Sequence, residues 1–341
     1  MKLLHVVGAR PQFMKLHPLL KELNKTDIIS EVLHTGQHFD KNMSDIFFED
    51  MNLPKPDFNL NLSSSSVGLM LDKISEVLQK NKFDSVLVYG DTNSTIAGAL
   101  SARQLGLKVI HYEAGVRNLD PKMPEEINRI VVDRISDILF CVSDTCVSNL
   151  ENESLWFDRK VFKTGDLMYD CFLRDAQKDT RKANYVYVTI HRADNTDNKE
   201  NLQNIINVLN KINETKKIKF PMHPRTKKMI DKYKIQIDFD LIEPVGYFEN
   251  LQLIKNSDLV ITDSGGVVKE AYWSKKISIL LMERPVWPEL VALDSCVNVE
   301  SDYDEILNTY DELINMKPVF DSDVYGVGDA SKKIAKILCK N

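Results

Sequence analysis

Several acidic side chains in the first half of the chain lie at what the sequence predicts to be consecutive strand ends of one α/β domain. They are Asp91 in VLVYGDTNST (86–95), Glu113 in VIHYEAGVR (109–117), and Glu125 with Glu126 in MPEEINR (123–129). The ends of neighbouring strands meet at the crevice where open α/β sheets bind ligands, so we expect these acids to converge there. Several carboxylates in such short order predict proton transfer, and hence an enzyme.

Each carboxylate also has a purely structural interpretation. Glu125 can pair with Arg129 one helical turn along, and both adjacent glutamates favour a helix N-terminus after a proline. Asp91 can cap a helix that begins near Thr92. Glu113 is harder to explain in this way, because it follows an apolar strand and precedes a glycine. A buried acid there needs a partner or a raised pKa.

The elements that must position these acids are short β-rich runs alternating with helical patterns. A first series of runs covers 3–8, 30–35, 84–90, 108–112 and 137–142, and a second covers 184–190, 218–222, 258–262 and 277–281. Strands separated by helices predict parallel sheets that are buried on both faces. We therefore expect an α/β protein with two doubly wound, Rossmann-like domains facing each other across a cleft.

The length of 341 residues exceeds that of a usual single core, which also favours two domains. The sequence predicts an N-terminal domain over 1–170 that carries the acidic cluster, and a second domain over 171–325. A terminal helix follows in 326–341, where a capping Asp or Ser precedes apolar residues at helical spacing. The polar stretch 175–184 is a plausible linker.

Composition narrows the class of protein. Hydrophobic residues make up 43% and charged residues 28%, as in ordinary globular proteins, and the net charge of −6 disfavours a nucleic-acid or anionic membrane surface. No apolar run approaches the roughly 20 residues that span a bilayer. Five scattered cysteines without CxxC spacing indicate reduced thiols in a cytoplasmic protein, and neither they nor the histidines show metal-ligand spacing.

The segment ITDSGGVVKEA (261–271) follows a predicted strand and begins a helix. Around Ser264, Gly265 and Gly266, backbone amides at the helix N-terminus could approach an anion closely. Glu270, one turn further, could accept hydrogen bonds from ribose hydroxyls. The alternative is a glycine-containing turn in which Ser264 only caps the helix, and this segment alone does not decide between the two.

The segment GARPQFMK (8–15) makes a similar strand-to-helix transition. Arg10 could form bidentate hydrogen bonds with phosphate oxygens, and Lys15 adds a compact charge. In the alternative interpretation the proline and glycine are ordinary turn residues and Arg10 is solvated.

Two histidines follow strands of the second series. His191 begins HRADN (191–195), and His223 begins HPR, which ends at Arg225. A histidine at a strand end could donate to a pyrophosphate or transfer a proton near neutral pH. Their location alone ranks these two above the remaining histidines, which are more often structural.

Taken together, these motifs resemble those of the non-hydrolysing UDP-N-acetylglucosamine 2-epimerases. The resemblance includes GARP…K, QH at 37–38, YGDTNST, YEAGVR, PEEINR, HR at 191–192, HPR, TDSGG…KE and YGVGDAS (325–331), in the family's order over nearly the whole chain. GARPQF, HTGQHFDKNMSDIFFE and HRADNT look particularly like the branch that acts on UDP-2,3-diacetamido-2,3-dideoxy-glucuronate.

The resemblance implies a glycosyltransferase-B-like fold with the active site between the domains, UDP bound by the second domain, and the terminal helix returning to the first. It implies reversible inversion at C2 of a UDP-sugar, for cell-surface polysaccharide precursors, by elimination and re-addition of UDP with no cofactor or metal. It also implies a homodimer.

The family's site residues can be carried over to matching positions of this chain. The resemblance assigns Asp91, Glu113 and Glu125 as acidic catalytic residues, His191 as the active-site histidine, Arg10, Ser264, Gly265, Gly266 and Glu270 as UDP contacts, and Lys15, His223 and Arg225 as further site positions. Gln37 and His38 match a region that binds a second, activating UDP-sugar in some bacterial members.

The chain departs from the family pattern near the sugar. Val268 replaces a common glutamine, and the stretch MERPVWPE (282–289) places Met282, Glu283 and Val286 at usually polar positions. Altered substrate choice, or a non-catalytic UDP-sugar-binding protein, therefore stays open. A UDP-dependent glycosyltransferase, which shares the architecture, and a hydrolysing 2-epimerase stay open as well.

Overall fold

The computed structural model describes residues 1–37, 55–155, 159–175, 184–316, 320 and 323–341. The chain divides into two compact units. Unit 1 comprises Met1–Arg174 and Asp323–Asn341, and unit 2 comprises Asp175–Ser322. The sequence places the corresponding boundaries at 170 and 325.

Unit 1 is built on a parallel sheet of seven strands in the order β3-β2-β1-β4-β5-β6-β7. The strands are β1 Lys2–Val7, β2 Ile29–His34, β3 Phe58–Asn59, β4 Ser85–Tyr89, β5 Lys108–Tyr112, β6 Ile138–Cys141 and β7 Lys160–Lys163. The helices between them are α1 Arg10–Leu23, α2 Val67–Lys80, α3 Asn93–Gln104, α4 Pro124–Ile135, α5 Asp144–Asn152 and α6 Leu167–Asp175. Apolar strand residues such as Val6, Val86 and Val88 pack with helix residues such as Ile74 and Ala97 in its core.

Unit 2 repeats the plan with six parallel strands in the order β10-β9-β8-β11-β12-β13. The strands are β8 Tyr185–Thr189, β9 Lys217–Pro221, β10 Leu241–Ile242, β11 Leu259–Thr262, β12 Ser278–Leu281 and β13 Cys296–Val299. The helices are α7 Ala193–Thr196, α8 Lys199–Asn213, α9 Pro224–Tyr233, α10 Tyr247–Asn256, α11 Gly265–Trp273, α12 Pro288–Ala292 and α13 Tyr303–Leu313. The predicted α/β class with two doubly wound parallel sheets is confirmed.

The strand order reverses at one place in each sheet. In unit 1 this switch point lies between β1 and β4, and in unit 2 it lies between β8 and β11. Adjacent crossovers then leave in opposite directions and open a crevice at the carboxyl ends of the strands. The segments after these four strands are among those that the sequence predicts to carry chemistry.

The last helix, α14 (Ala330–Leu338), belongs to unit 1 and packs against α1. Asp329 occupies its N-cap position without a side-chain cap, so the local capping expected from the sequence is wrong. Asp170 of α6 caps the helix instead, because its carboxylate accepts from Ala330 N at 3.1 Å, from Ser331 N at 2.8 Å and from the Ser331 hydroxyl at 2.6 Å. A residue distant in sequence therefore anchors the terminal helix.

The strands that the sequence does not predict are short and lie toward the sheet edges. Strands β3 and β10 have two residues each, and β7 has four, with the sequence KVFK. All three are only partly buried, so their sequences lack a long apolar pattern. The five cysteines are free thiols, and only Cys339 is exposed. Within the described ranges, no helix combines the length and apolar character that crossing a bilayer requires.

A fully buried histidine makes unit 1 sensitive to acid. His5 Nδ1 lies 2.7 Å from the hydroxyl of Tyr89, and burial lowers the pKa of His5 from 6.5 to about 3. Between pH 6.5 and about pH 3, His5 binds a proton in the unfolded chain but not in the folded chain. The contribution of His5 to stability is therefore complete above pH 6.5 and declines by about 1.4 kcal/mol per pH unit as the pH falls.

We expect His5→Gln to remove this dependence, because glutamine does not titrate and can still bond the Tyr89 hydroxyl. Urea unfolding followed by circular dichroism should show that the free energy of unfolding falls more steeply from pH 7 to 4 in the wild type than in the variant. Tyr89→Phe is the control, since it leaves His5 buried and should keep the wild-type slope. Equal slopes in wild type and His5→Gln would contradict the assignment.

Candidate active site

The switch point of unit 1 is held together by Gln12, a fully buried residue of α1. Its Oε1 accepts from Gly8 N at 2.7 Å and from Ala9 N at 3.0 Å. Its Nε2 donates to Tyr89 O at 2.7 Å and to the hydroxyls of Thr92 and Thr95, each at 2.9 Å. One amide thus ties the turn after β1 to the turn after β4. Sequence reasoning missed Gln12, although it lies inside the GARPQF motif.

Glu113 and Lys15 form an ion pair in which both side chains are largely buried. Glu113 follows β5 and adopts φ +72°, a backbone conformation that a non-glycine residue rarely holds unless its surroundings impose it. Gly90 lies beside this pair, since a Cβ there would be 3.2 Å from Glu113 Oε2. The partner that the sequence required for a buried acid at 113 is therefore Lys15.

Asp91 forms an ion pair with the buried guanidinium of Arg129, which also pairs with Glu126. Burial opposes the charge of Arg129, but the two carboxylates outweigh it and raise the pKa of the guanidinium. The Asp91 side chain keeps about a third of its surface exposed, at 33%. Thr92 occupies the N-cap position of α3, so the interpretation of Asp91 as the helix cap is wrong.

Of the two adjacent glutamates, Glu126 is buried and Glu125 is exposed. Glu126 accepts from the backbone N–H groups of Asn118 and Leu119, both at 2.9 Å, in addition to its contact with Arg129. The predicted pair between Glu125 and Arg129 is therefore wrong. The phase of the helix turns Glu126 inward, which leaves Glu125 accessible in the first turn of α4.

The remaining unit 1 candidates lie around the same turns. Arg10 is half-buried at the first position of α1, directly after the strand end. Gln37 lies beyond β2, where its Oε1 accepts from the backbone N and hydroxyl of Ser94 at 3.0 and 2.7 Å. His38 lies outside the described residues.

In unit 2, the fully buried Asp263 fixes the segment that carries His191. Its carboxylate accepts from His191 N at 2.9 Å, from Arg192 N at 2.8 Å and from Asn195 Nδ2 at 3.1 Å, and it lies 3.1 Å from His191 Nδ1. Burial disfavours its ionisation, but His191 and the further donors outweigh burial and hold its pKa below the ordinary value. Asp263 thus orients the imidazole. The sequence shows it in TDSGG, but it is not among the predicted site residues.

His223 and Arg225 share a turn but have different surroundings. The ring of His223 lies 5.6 Å from that of His191, and partial burial together with His191 lowers its pKa. The exposed Arg225 instead pairs with Asp197, with its Nη2 2.5 Å from Oδ2. The structure therefore brings the two histidines together, while the Arg225 guanidinium is engaged by Asp197.

The glycine-containing turn of unit 2 begins α11, as predicted. Ser264 caps the helix, its hydroxyl accepting from Val267 N at 3.4 Å, and Gly265 and Gly266 are the first, half-buried helical residues. Trp287 Nε1 donates to Gly265 O at 2.9 Å and would lie 3.3 Å from a Cβ at that position. Because residue 265 is a glycine, Trp287 can pack closely against this helix N-terminus. The backbone N–H groups there can donate hydrogen bonds to an anion.

Glu270 is buried one turn into α11. Burial raises its pKa from 4.5 to about 8, and the neighbouring Lys269 opposes the shift only in part. Lys269 is itself 1% exposed and places Nζ 4.0 Å from the ring centroid of Trp287, a cation–π contact. At neutral pH Glu270 is therefore mainly a neutral acid.

Two of the departures from the family pattern lie in the core of unit 2. Val268 is 1% exposed and Met282 is 8% exposed, so both are buried apolar side chains. Val286 is half-buried beside Gly265, where it would lie 3.6 Å from a Cβ on that glycine. Val268 lies in the first turn of α11, so it and Val286 are both near the helix N-terminus.

The fold and these two groups of residues are those of an α/β enzyme built from two Rossmann-like units. The model of the UDP-N-acetylglucosamine 2-epimerase family matches residues 21–339. The chain belongs to this family, whose members are isomerases acting on carbohydrates, and it is an enzyme of that class.

Individual relatives match over the full length. A UDP-2,3-diacetamido-2,3-dideoxy-D-glucuronate 2-epimerase of Pseudomonas aeruginosa is 41% identical, with 100% of both chains covered. A UDP-N-acetylglucosamine 2-epimerase homolog of Methanococcus maripaludis is 44% identical over 99% of both chains. The UDP-GlcNAc 2-epimerase of Methanocaldococcus jannaschii, solved in complex with UDP-GlcNAc and UDP, superposes with a TM-score of 0.93 at 38% identity over 100% of both chains.

The raised pKa of Glu270 predicts a stability that declines with rising pH. Between pH 4.5 and 8 the folded state holds a proton that the unfolded state has released, so the contribution is complete below 4.5 and is lost by about 1.4 kcal/mol per unit up to 8. Glu270→Gln should remove this decline in urea unfolding followed by tryptophan fluorescence, since Trp273 and Trp287 lie in unit 2. The exposed Glu249→Gln is the control. If the stability of Glu270→Gln declined with rising pH as much as that of the wild type, the raised pKa would not belong to Glu270.

Proposed function

We propose that this chain is a UDP-sugar 2-epimerase. It inverts C2 of UDP-N-acetylglucosamine or of a C3- and C6-modified relative, UDP-2,3-diacetamido-2,3-dideoxy-glucuronate, by elimination and re-addition of UDP. The observation that carries the proposal is the set of carboxylates with buried cationic partners at the strand ends of unit 1, in a chain of the 2-epimerase family.

The reaction divides into two balanced halves. A base removes the C2 proton, the C–H electron pair forms a C1–C2 double bond, and the C1–O bond breaks to release UDP. A UDP oxygen then re-forms the bond to C1 while C2 receives a proton on the opposite face. No electrons are gained or lost overall. The chemistry requires acid–base groups for two faces of the sugar and a stabilised leaving group.

Asp91, Glu113 and Glu125 are the proposed acid–base groups. Lys15 pairs with Glu113, and Arg129 pairs with Asp91. Asp91 is partly exposed and Glu125 is exposed, so both can meet a substrate. Glu126 is committed to Arg129 and to two backbone amides, which favours Glu125 rather than Glu126 as the reacting glutamate.

Each unit has donors of its own that suit the UDP part of the substrate. Arg10 and the amides at Gly265 and Gly266 suit the diphosphate, because guanidinium groups and helix N-termini bind phosphate oxygens. His191, oriented by Asp263, can donate to the departing oxygen. Glu270 suits the ribose hydroxyls as a neutral or ionised hydrogen-bonding partner.

The identity of the sugar, the location and the assembly belong to the same proposal. By their names, the Pseudomonas aeruginosa relative acts on the diacetamido sugar and the Methanocaldococcus jannaschii relative acts on UDP-GlcNAc. A panel of UDP-sugars scored for C2 inversion by proton NMR would identify the sugar that this chain prefers. We propose a cytoplasmic homodimer that makes cell-surface polysaccharide precursors. Light scattering should then give a mass about twice the 39.1 kDa of one chain.

Deuterium incorporation tests the reaction class. Wild-type protein incubated with the UDP-sugar alone in deuterated water should place one deuterium at C2 of both epimers, with UDP largely retained on the sugar. A UDP-dependent glycosyltransferase or a non-catalytic binding protein would leave C2 unlabelled. Irreversible accumulation of free UDP would instead indicate a hydrolysing epimerase.

Asp91→Asn, Glu113→Gln and Glu125→Gln should each lower turnover by about 10²- to 10⁴-fold, because each removes a proton-transfer group. UDP binding measured by calorimetry should change little. Glu76→Gln, on the exposed face of α2, is the matched control. Full activity in all three site variants would overturn the assignment of these acids.

Ser264→Ala and Glu270→Ala should chiefly weaken nucleotide binding, since they alter the N-terminus and the first turns of α11. We expect a loss of UDP affinity of about tenfold for each, which corresponds to about 1.4 kcal/mol. Ser274→Ala, at the opposite end of the same helix, provides the comparison. Unchanged UDP affinity in both variants would refute the proposed role of α11.

A further inference from the structure

His111 is a fully buried histidine near the two turns that carry Asp91 and Glu113. His111 of β5 places Nε2 2.8 Å from Gly90 O and Nδ1 2.7 Å from Asp133 Oδ1. Both His111 and Asp133 are 0% exposed. The ring therefore connects the turn after β4 to helix α4.

The second oxygen of Asp133 has partners of its own. Oδ2 accepts from Gly115 N at 3.0 Å and from Arg117 Nη1 at 2.8 Å. Arg117 continues to Glu153 with two parallel bonds, Nε to Oε1 at 2.6 Å and Nη2 to Oε2 at 3.0 Å. Four ionisable side chains thus form one chain of contacts.

The hydrogen-bonding roles in this chain fix the protons on the ring. A backbone carbonyl can only accept, so Nε2 of His111 must carry a hydrogen. The cationic donor and the amide on Asp133 favour its ionised form, and an ionised carboxylate also only accepts. Nδ1 of His111 then faces an acceptor as well, so both ring nitrogens are placed to donate.

We propose that His111 is a buried imidazolium, paired with Asp133, that positions the strand-end turns carrying Asp91 and Glu113. The inference rests on the proposed function for the roles of these two acids. His111 and Asp133 are positioning residues, because they act through the turns.

The local charges support the imidazolium. An imidazolium at His111 would lie 2.7 Å from the fully buried carboxylate of Asp133, where the two opposite charges compensate each other. Burial opposes ionisation of Asp133, but His111 and Arg117 outweigh it and lower its pKa.

Two further groups face the cluster from neighbouring elements. Burial raises the pKa of the Cys141 thiol of β6, which therefore stays neutral. Arg134 lies 3.6 Å from Glu153 at the surface. Glu153 therefore has a second cationic neighbour in addition to Arg117.

The two turns need such anchoring because their backbones are unusual. Gly90, Glu113 and Gly115 have φ values of +62°, +72° and +77°, and a side chain at 115 would collide with the carbonyl of Cys146. His111 holds the first turn at Gly90 O, and Asp133 holds the second at Gly115 N. Because one ion pair restrains both turns, we expect it to set the relative position of the two proposed acids.

The protonation state can be read directly from ¹⁵N-histidine NMR of the intact wild-type chain at pH 8, with His111 assigned through His111→Gln. We expect both ring nitrogens of His111 to be protonated. An unprotonated Nδ1 would overturn the proposal. This readout does not depend on catalysis, so it stays decisive even if no UDP-sugar is epimerised, a result that would count against the proposed function alone.

Asp133→Asn separates charge from hydrogen bonding. The amide oxygen can still accept from Gly115 and Arg117, and the amide nitrogen can donate to Nδ1 of a neutral ring. We expect loss of the Nδ1 proton and a 10- to 100-fold lower kcat for C2 inversion, with KM changed less than about twofold, because misplacing reacting groups affects the chemical step.

Asp137→Asn is the matched control, since Asp137 accepts from Val109 N of the same strand at 2.8 Å, at the end far from the site. It should leave kcat and the His111 signals unchanged. A wild-type kcat in Asp133→Asn, or an equal loss in Asp137→Asn, would overturn the positioning role.

Discussion

The constraint on which the site depends is that acids at buried strand ends need cationic partners from neighbouring helices. Glu113 has Lys15 of α1, and Asp91 shares Arg129 of α4 with Glu126. A charged carboxylate loses hydration where it is buried, and the contact with a cation offsets part of that cost. The two helices supply these cations to the strand ends of one sheet, so the fold positions each acid together with its partner.

Unit 2 meets the same constraint in two different ways. Asp263 keeps its charge because backbone amides, Asn195 and His191 donate to it. Glu270 has only partial compensation from Lys269, and its raised pKa leaves it mainly neutral at pH 7. In the proposed function, an ionised Asp263 orients a proton donor, whereas Glu270 provides a hydrogen-bonding group without a full charge.

Much of this architecture can be predicted from the sequence. Apolar runs separated by helical patterns identify the central strands, and the motifs at their ends identify the family. The edge strands cannot be read in this way, because their runs are short and half-exposed. The cap of α14 by Asp170 and the amide of Gln12 also escape prediction, since their partners lie far away in sequence. Which of Glu125 and Glu126 faces inward depends on the phase of the helix. An error of one residue in the predicted helix start would exchange their positions.

The central claim is that the strand-end acids work as units with their cations, and a double-mutant cycle on Lys15 and Glu113 tests it most directly. The rate of C2 hydrogen exchange would be measured for Lys15→Met, Glu113→Gln and the double variant. Because either single change disables the pair, we expect the double variant to be no slower than the slower single variant. Losses that multiply independently would contradict this account.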